Sequence, residues 1–263
     1  MNADWPKICR LAIYPIKSLD GHELDEARVL SSGGLANDRR WVIVDAQGQW
    51  VNGKRTRALH PIRATYSPAI DAVTLQSPQG PAQSFQLPRE TAEVAAWLSA
   101  ELGFTCRLIE NAAGGFPDDS DASGPTLIST ASLAAVARWF EGLDAEELRR
   151  RVRANMEIDA SEPFWEDRLG DDGLSSPLFR VGSVLFRGRT ICQRCIVPTR
   201  SARTGESTAR FAHVFAAERQ RTLPAWSPTE QFDHYYRLAL NTSLERAAAD
   251  AVIRVGDAVS IMA

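Results

Sequence analysis

Short apolar runs broken by proline and glycine restrict what the first ninety residues can fold into. Most runs are four or five residues long, as in Arg40–Val44 and Ile62–Tyr66. Runs of this length between turn residues are typical of β-strands, whereas a βαβ unit needs a crossover of about a dozen residues or more. The pattern therefore predicts a small β-barrel or meander. The expected strands are Leu11–Tyr14, Arg40–Val44 in a hairpin with Gln49–Val51, Ile62–Tyr66, Ala72–Leu75 and Ser84–Leu87.

Helical periodicity begins after residue 90. Thr91–Leu102 places apolar residues near one face and is followed by a glycine. Ser129 or Thr130 can cap a helix through Phe140, and Asp144 can cap another to about Arg151. Before these two helices, residues 111–124 are rich in Gly, Asp and Ser and predict a loop or domain junction. Further expected elements are strands at 104–109, 156–158, 178–181, 184–186 and 190–197, a helix at 209–222, and a terminal hairpin over 252–262.

The composition is that of an ordinary globular protein, and 263 residues suffice for one large domain or two small ones. The net charge of −3 gives no reason to expect nucleic acid or an acidic membrane surface as partner. No apolar run approaches the roughly 20 residues that span a bilayer, and the first residues lack a signal-peptide pattern. We therefore predict a cytoplasmic protein with neither a nucleic-acid nor a membrane partner. Four cysteines are too few for a disulfide scaffold.

The most informative polar feature is a pair of thiols, Cys192 and Cys195, with Arg194 between them. A neighbouring positive charge favours the thiolate, which binds metals or attacks. Two cysteines make only half of a structural zinc site, and no second pair follows. The segment indicates an open metal site or a redox pair, while two buried strand thiols are the plainer alternative. Cys9 and Cys106 lie in apolar contexts and are expected to be inert.

Four other polar segments place cations, hydroxyls and an amide next to predicted strands or helix starts. Such groups suit a phosphate-bearing, pterin-like ligand, and the helix start at Ser129 is a natural anion site. The segments are Tyr14-Pro-Ile-Lys-Ser18, Gly33-Gly-Leu-Ala-Asn-Asp-Arg39, Leu127-Ile-Ser-Thr-Ala-Ser132 and Arg151-Val-Arg-Ala-Asn155.

Taken together and in this order, the segments resemble the MOSC family, named for the C-terminus of molybdenum cofactor sulfurase. The closest resemblance is to the two-part form shared by mitochondrial amidoxime-reducing components and bacterial hydroxylaminopurine-detoxifying proteins. Each motif alone is weak, but the ordered set is specific and covers nearly the whole chain. Besides the thiol pair, the matching stretches are Tyr14–Ser18, Asp38-Arg39, Leu127–Leu133, Arg151–Asn155, Glu162–Asp167, Pro198-Thr199, Thr204–Glu206 and Val255–Asp257.

The resemblance implies a mainly β protein with helices (α+β), with an N-terminal β-barrel-like region at 1–110 and a MOSC-like β-barrel at 111–263. A metal site would lie in the cleft between them. It also implies that Cys195 is the catalytic thiolate and the protein ligand to molybdenum in a molybdopterin cofactor. Cys192 matches a position that is not a ligand. The matching positions for the pterin and its phosphate are Lys17, Ser18, Arg39, Ser129, Thr130, Arg153 and Asn155.

The activity implied is reduction of a small N-hydroxylated substrate at molybdenum. We see no cysteine-rich iron–sulfur motif after the MOSC-like part, so electrons are expected from a separate donor protein. One departure is Arg200-Ser-Ala-Arg203, where the reductases commonly have an acidic stretch; it adds positive charge near the metal.

Two other functions are weighed against the reductase: a carrier of molybdenum cofactor or of a persulfide on Cys195, and a thiol–disulfide oxidoreductase. The latter lacks the βαβ context of a redox thiol pair. The four histidines, His22, His60, His213 and His234, have no metal-ligand spacing and are expected to be structural or surface residues.

Overall fold

The computed structural model describes residues 5–248 and 250–262, and it shows a mixed α+β fold, which confirms the predicted class. The strands are β1 (Ile8–Ile13), β2 (His22–Leu24), β3 (Glu26–Arg28), β4 (Trp41–Asp45), β5 (Arg63–Tyr66), β6 (Ala72–Gln76), β7 (Gln83–Gln86), β8 (Cys106–Glu110), β9 (Leu127–Ser129), β10 (Met156–Ile158), β11 (Leu178–Val181), β12 (Val184–Gln193), β13 (Arg237–Arg246), β14 (Val252–Arg254) and β15 (Val259–Ile261). The α-helices are α1 (Thr91–Leu102), α2 (Thr130–Ala137), α3 (Ala145–Val152) and α4 (Phe211–Arg221), and 3-10 turns occur at Arg57–Leu59, Trp165–Leu169, Val197–Thr199 and Thr229–Gln231.

An eight-stranded sheet in the order β15-β11-β12-β13-β9-β10-β1-β2 organises the fold. Its neighbours are antiparallel except β9 and β10, which run parallel. The sheet curls until Lys7, just before β1, bridges Ala258, just before β15. The Ile8 N–H also donates to the Asp257 carbonyl at 2.8 Å. Because this junction rests on one bridge rather than on paired strands, the sheet is barrel-like but not a continuously paired barrel.

The longest strands, β12 and β13, pair with each other at the centre of this sheet. The sequence predicted two strands at 184–186 and 190–197, whereas β12 is one strand that ends at Gln193. Strand β13 was not predicted at all. Its end at Arg237 pairs with Gln193, so the two strands together deliver the chain to the loop that carries Cys195.

Smaller sheets surround the large one. The meander β5-β6-β7 was predicted. The hairpin from β4 to Gln49–Val51 is present in a short form: Val44 and Trp50 form one antiparallel bridge, and the Asp45 and Val51 N–H groups donate to the carbonyls of Gln49 and Ile43 at 2.9 Å each. Strand β4 also pairs with β8. The terminal hairpin was wrong, because β14 pairs with β3 and β15 with β11. The turn between them is held to β1 by the Gly256 N–H, which donates to the Ile8 carbonyl at 2.7 Å, so the two strands diverge into different sheets.

The helices lie close to their predicted positions. Helix α1 has the predicted bounds and ends at Gly103, whose φ of 76° is the left-handed conformation that glycine adopts without strain. Its N-cap is Glu90. Helix α3 is capped as expected by Asp144, whose side chain accepts the Glu147 N–H at 2.7 Å. None of the helices within the described ranges has the length and apolar character needed to cross a bilayer.

Helices α2, α3 and α4 share a second apolar core that holds the start of α4 near the end of β12. Phe140, three residues after the end of α2, stacks on Phe211 at the start of α4 with ring centroids 4.2 Å apart. Leu148 of α3 and Cys192 at the end of β12 belong to the same buried cluster. This packing fixes the position of the Cys195 loop relative to the helices.

Strands from both ends of the sequence pair with each other. Strand β1 pairs with β10, and β3 pairs with β14. The chain before residue 110 therefore contributes to sheets that it shares with the C-terminal half. The division at residues 110 and 111 stays a prediction.

Candidate functional site

Cys195 lies on a turn between β12 and the 3-10 turn at Val197–Thr199, and its thiol is partly exposed. Its Sγ accepts the Val197 N–H at 3.4 Å, which orders the thiol without shielding it from a ligand. The Tyr236 hydroxyl donates to the Cys195 carbonyl at 3.2 Å. Arg194 donates to the Val152 carbonyl at 2.7 Å. The turn is thus fixed to α3 and to the residue that precedes β13.

A pocket of about 480 Å³ opens beside this thiol. Its walls combine aromatic faces, hydroxyls and cationic groups, and no lining residue is acidic. The sequence did not predict this pocket, and His213 was expected to be a structural or surface residue. The predicted helix start at residue 209 was the available signal. The lining residues are Arg194, Cys195, Ile196, Thr199, Thr208, Arg210, Phe211, Ala212, His213 and Tyr236.

Cys192 is buried and does not line this pocket. Its thiol donates to Asn241 Oδ1 at 2.6 Å. Burial raises the pKa of the Cys192 thiol to about 11, although the nearby Arg194 acts in the opposite direction. The three-residue spacing therefore separates the thiols, because the strand ends between them: Cys192 faces the core, and Cys195 faces the pocket.

We expect this difference to appear in thiol alkylation. In the native protein near pH 7.5, iodoacetamide should modify Cys195 at least about tenfold faster than Cys192, because only the thiolate reacts and Cys192 remains protonated and buried. Peptide mass spectrometry over time gives both rates in one sample. In urea the two thiols should react at similar rates. Equal native rates would contradict the arrangement described here.

A second polar cluster contains three of the sequence-predicted residues, Arg39, Arg153 and Asn155. Arg39 forms an ion pair with Asp38 and donates to Asn155 Oδ1 at 3.1 Å. Its other nitrogen donates to the Arg153 carbonyl at 3.5 Å. Both guanidinium groups lie over the Tyr14 ring, at 4.9 Å for Arg39 and 4.1 Å for Arg153. Burial lowers the pKa of Arg153, and Arg39 lowers it further. An anionic ligand would relieve this crowding of positive charge.

Asn155 positions this cluster, because both ends of its side-chain amide are already engaged. Its Nδ2 donates to the Ala12 carbonyl at 3.0 Å, and its Oδ1 accepts from Thr126 as well as from Arg39. The amide therefore joins β1 to the starts of β9 and β10 and orients Arg39.

Lys17 and Ser18 form the adjoining edge of the cluster. The Lys17 ammonium donates to the Phe116 carbonyl at 2.7 Å, pairs with Asp118 at 3.0 Å and lies 4.4 Å from the centre of the Trp50 ring. Burial lowers the pKa of Lys17, while Asp118 raises it. The Asp118 side chain is 64% exposed, so this counter-ion lies at the surface.

Gly53 connects these residues to the Cys195 turn. Its N–H donates to Ser18 Oγ at 3.4 Å. A Cβ placed on Gly53 would lie 3.5 Å from Val197 Cγ2, so the glycine backbone packs against the turn. Its carbonyl accepts from the Arg200 guanidinium at 2.6 Å. The Arg200 side chain is buried against residues 53 and 54, and its contribution to the charge near a metal stays a prediction.

The structure does not bring Ser129 and Thr130 to this cluster. Ser129 caps α2, and its N–H donates to Glu166 Oε2 at 3.2 Å. The helix start that was predicted to bind an anion thus already faces a carboxyl group of the protein itself. The cluster around Asn155 lies at the other end of β9, three residues and about 10 Å away. Thr130 begins α2 and has no described side-chain hydrogen bond to the cluster.

Glu166 is fully buried, and burial raises its pKa to about 7, with Asp167 adding to the rise. The folded protein therefore keeps a proton that the unfolded chain releases above about pH 4.3. The stabilisation from this proton is complete below that pH and is lost as pH rises through 7.

Replacing Glu166 by glutamine should remove this pH dependence while keeping an oxygen that accepts from Ser129 and Ser132. Between about pH 5 and 8, the unfolding free energy of the wild type should fall by on the order of 2–3 kcal/mol relative to E166Q. Urea unfolding at several pH values measures the difference. Parallel pH profiles for the two proteins would mean that Glu166 does not hold the proton.

Backbone strain marks the same region. Among the described residues outside glycine, nine have φ in the left-handed region, and three of them, Ser18, Arg39 and Arg153, are sequence-predicted site residues. Such conformations are costly for these residue types and cluster at functional sites. Within the described ranges, no three His, Cys, Asp or Glu side chains converge on a possible metal position, so a metal bound here would need ligands beyond Cys195.

Comparison with known proteins identifies two family profiles in the chain. The profile for the MOSC N-terminal beta barrel domain matches residues 5–143, and that for the MOSC domain matches residues 120–260. The chain is 29% identical over 233 residues to a molybdenum cofactor sulfurase of Drosophila mojavensis, with 76% of this chain and 29% of the relative covered. It is 30% identical over 252 residues to the molybdenum cofactor sulfurase of Drosophila pseudoobscura pseudoobscura, with 76% and 30% covered.

The chain thus spans less than a third of the length of these curated relatives. Among solved structures, the YuaD protein from Bacillus subtilis matches with a TM-score of 0.40 and 11% identity, covering 97% of this chain and 94% of that one.

Proposed function

The chain belongs to the MOSC family, and on this premise we propose that it binds molybdenum cofactor and reduces small N-hydroxylated compounds with electrons from a separate donor protein. The observation that carries the proposal is the position of Cys195. Its thiol borders a pocket, and the turn that holds it packs through Gly53 against the segment of Lys17 and Ser18. A soft sulfur donor and a cationic cluster are what an anionic molybdenum–pterin cofactor requires.

The residues of this chain fit the cofactor in distinct roles. Cys195 would ligate the metal, and Lys17, Arg39 and Arg153 would offset the negative charge of the pterin phosphate. Ser18 would add a hydroxyl, and Asn155 would orient Arg39. Ser129 and Thr130 are left out of the proposed site, because Ser129 is engaged with Glu166. When bound, the cofactor supplies two-electron oxygen-atom transfer, while the protein binds and orients the reactants.

A carrier of molybdenum cofactor or of persulfide sulfur is the second candidate. It is supported by the relatives, which are named molybdenum cofactor sulfurases, and by the accessible Cys195 thiol. A carrier needs the same cationic cluster to hold the cofactor, so the cluster does not discriminate between the two. The two functions differ in what happens at sulfur and in whether a substrate is turned over.

Expression in a host that makes the cofactor distinguishes them. The reductase predicts near-stoichiometric molybdenum and turnover of an amidoxime or N-hydroxylated base with a chemical electron donor. The carrier predicts a persulfide mass shift on Cys195 that is removed by a thiol reductant, without turnover. Metal analysis, intact-mass spectrometry and an activity assay on one preparation give all three results.

A further inference from the structure

We propose that the pocket beside Cys195 recognises an anionic group of the substrate, a phosphate or a carboxylate, through Arg210 and His213. This assignment deepens the proposed function, on which its reaction rests, by naming the substrate class: an N-hydroxylated compound that also carries negative charge. The binding step can be measured without turnover.

The charge of the pocket wall is the first support. Arg194, Arg210 and His213 line it, and no lining residue is acidic. In the described part of the chain, the side chains of Arg210 and His213 have neither a hydrogen bond nor an ion pair. Other arginines of the same helix, by contrast, have partners: Arg219 pairs with Asp167, and Arg221 with Glu218. The Arg210 guanidinium and the His213 imidazole thus remain available to a ligand.

Arg194 adds a fixed positive group on the thiol side. Its guanidinium is held by the Val152 carbonyl at 2.7 Å, while its Nε is buried without a described partner. Charge-assisted hydrogen bonds from such held donors to an oxyanion are stronger than neutral ones. The first turn of α4 lines the same pocket, and no side chain caps it. The Phe211 N–H already donates to the Thr208 carbonyl at 3.4 Å, so the N–H groups that follow it add to the attraction.

The pocket is distinct from the cluster proposed for the cofactor. Lys17, Arg39 and Arg153 do not line it. The cofactor cations come from before β4 and after α3, whereas Arg210 and His213 come from the start of α4. Cys195 borders the pocket and its turn also contacts the Gly53 segment. An anion at Arg210 would therefore be bound by a different set of cations from those proposed for the cofactor phosphate.

Size and wall chemistry define the ligand class further. A volume of about 480 Å³ fits one small molecule. Phe211 and Tyr236 provide aromatic surface, and Thr199 and Thr208 provide hydroxyls. An aromatic or heterocyclic N-hydroxylated compound with a phosphate or carboxylate group matches this combination.

Calorimetric binding with matched probes tests the assignment. AMP against adenosine reports on phosphate, and benzoate against benzamide reports on carboxylate. We expect the wild type to prefer one of the anions over its neutral partner by about tenfold or more. The substitution R210Q should abolish this preference, R210K should restore most of it, and H213Q should weaken it. The control R203Q removes the same charge from an exposed arginine that does not line the pocket and should behave as wild type.

Several results would overturn the proposal. These are equal binding of each anion and its neutral partner, unchanged anion binding in R210Q, or loss of molybdenum from R210Q, which would assign the pocket to the cofactor. An intact anion preference without turnover of any N-hydroxylated substrate would support the pocket but overturn the reductase. The two proposals therefore fail separately.

Discussion

Replacing Cys195 by alanine is expected to remove molybdenum from protein purified from a cofactor-producing host. Among the residues that line the pocket, Cys195 supplies the sulfur donor that a soft metal prefers. Losing groups that only support a ligand lowers metal affinity or activity by about 10–100-fold, so losing the ligand itself should lower both by at least about a hundredfold. Elemental analysis per protein and the reductase rate measure the two effects.

The matched control is C9S, which changes an exposed thiol on β1 that donates to the Glu157 carbonyl and does not line the pocket. It should keep both molybdenum and activity. Retention of near-stoichiometric molybdenum by C195A would contradict the ligand assignment. If neither the wild type nor the variant contains molybdenum, while the wild type alone carries a persulfide, the sulfur carrier is favoured.

Local signals explain which elements the sequence predicted correctly. Helix α1 and the meander β5-β6-β7 depend on short-range periodicity and turn residues, and both were found where expected. The terminal hairpin after β14 was wrong for a different reason. A turn sequence specifies that the chain reverses, but the strand partners of β14 and β15 are fixed by long-range pairing with β3 and β11.

Strand β13 was missed although its sequence carries a signal. Leu238, Leu240 and Thr242 alternate along it and are all buried, which is the period-two pattern of a strand. Ala239 is buried as well and has a φ of 67°, so the strand is irregular where it approaches the Cys195 turn. The missed strand is also the one that brings Tyr236 to that turn.

The candidate site was only partly predictable for a similar reason. The motifs identified Arg39, Arg153 and Asn155, and the structure brings them into contact. The same reasoning could not reveal that Glu166, 37 residues from Ser129 in sequence, already occupies the start of α2. Nor could it place Arg210 beside Cys195, because that contact depends on how α4 packs against the other helices.

The buried ion pair between Arg219 and Asp167 gives the largest expected effect on stability. The two side chains are 0% and 1% exposed, and among the described residues the other hydrogen bond to the Asp167 carboxylate comes from the Ser227 hydroxyl at 2.5 Å. Replacing Arg219 by methionine would leave a buried carboxylate without its counter-charge. We expect R219M to lower the free energy of unfolding by about 3–5 kcal/mol, measured by urea denaturation.

A control on the same helix separates this effect from a general loss of charge. Arg221 pairs with Glu218 at 2.5 Å, but its side chain is 69% exposed, so R221M should cost less than about 1 kcal/mol. Replacing both buried partners, in D167L with R219M, removes the unpaired charge and should recover part of the stability lost in R219M alone. If R219M proved no worse than R221M, or if the double variant were less stable than R219M, the loss could not be attributed to an uncompensated buried carboxylate.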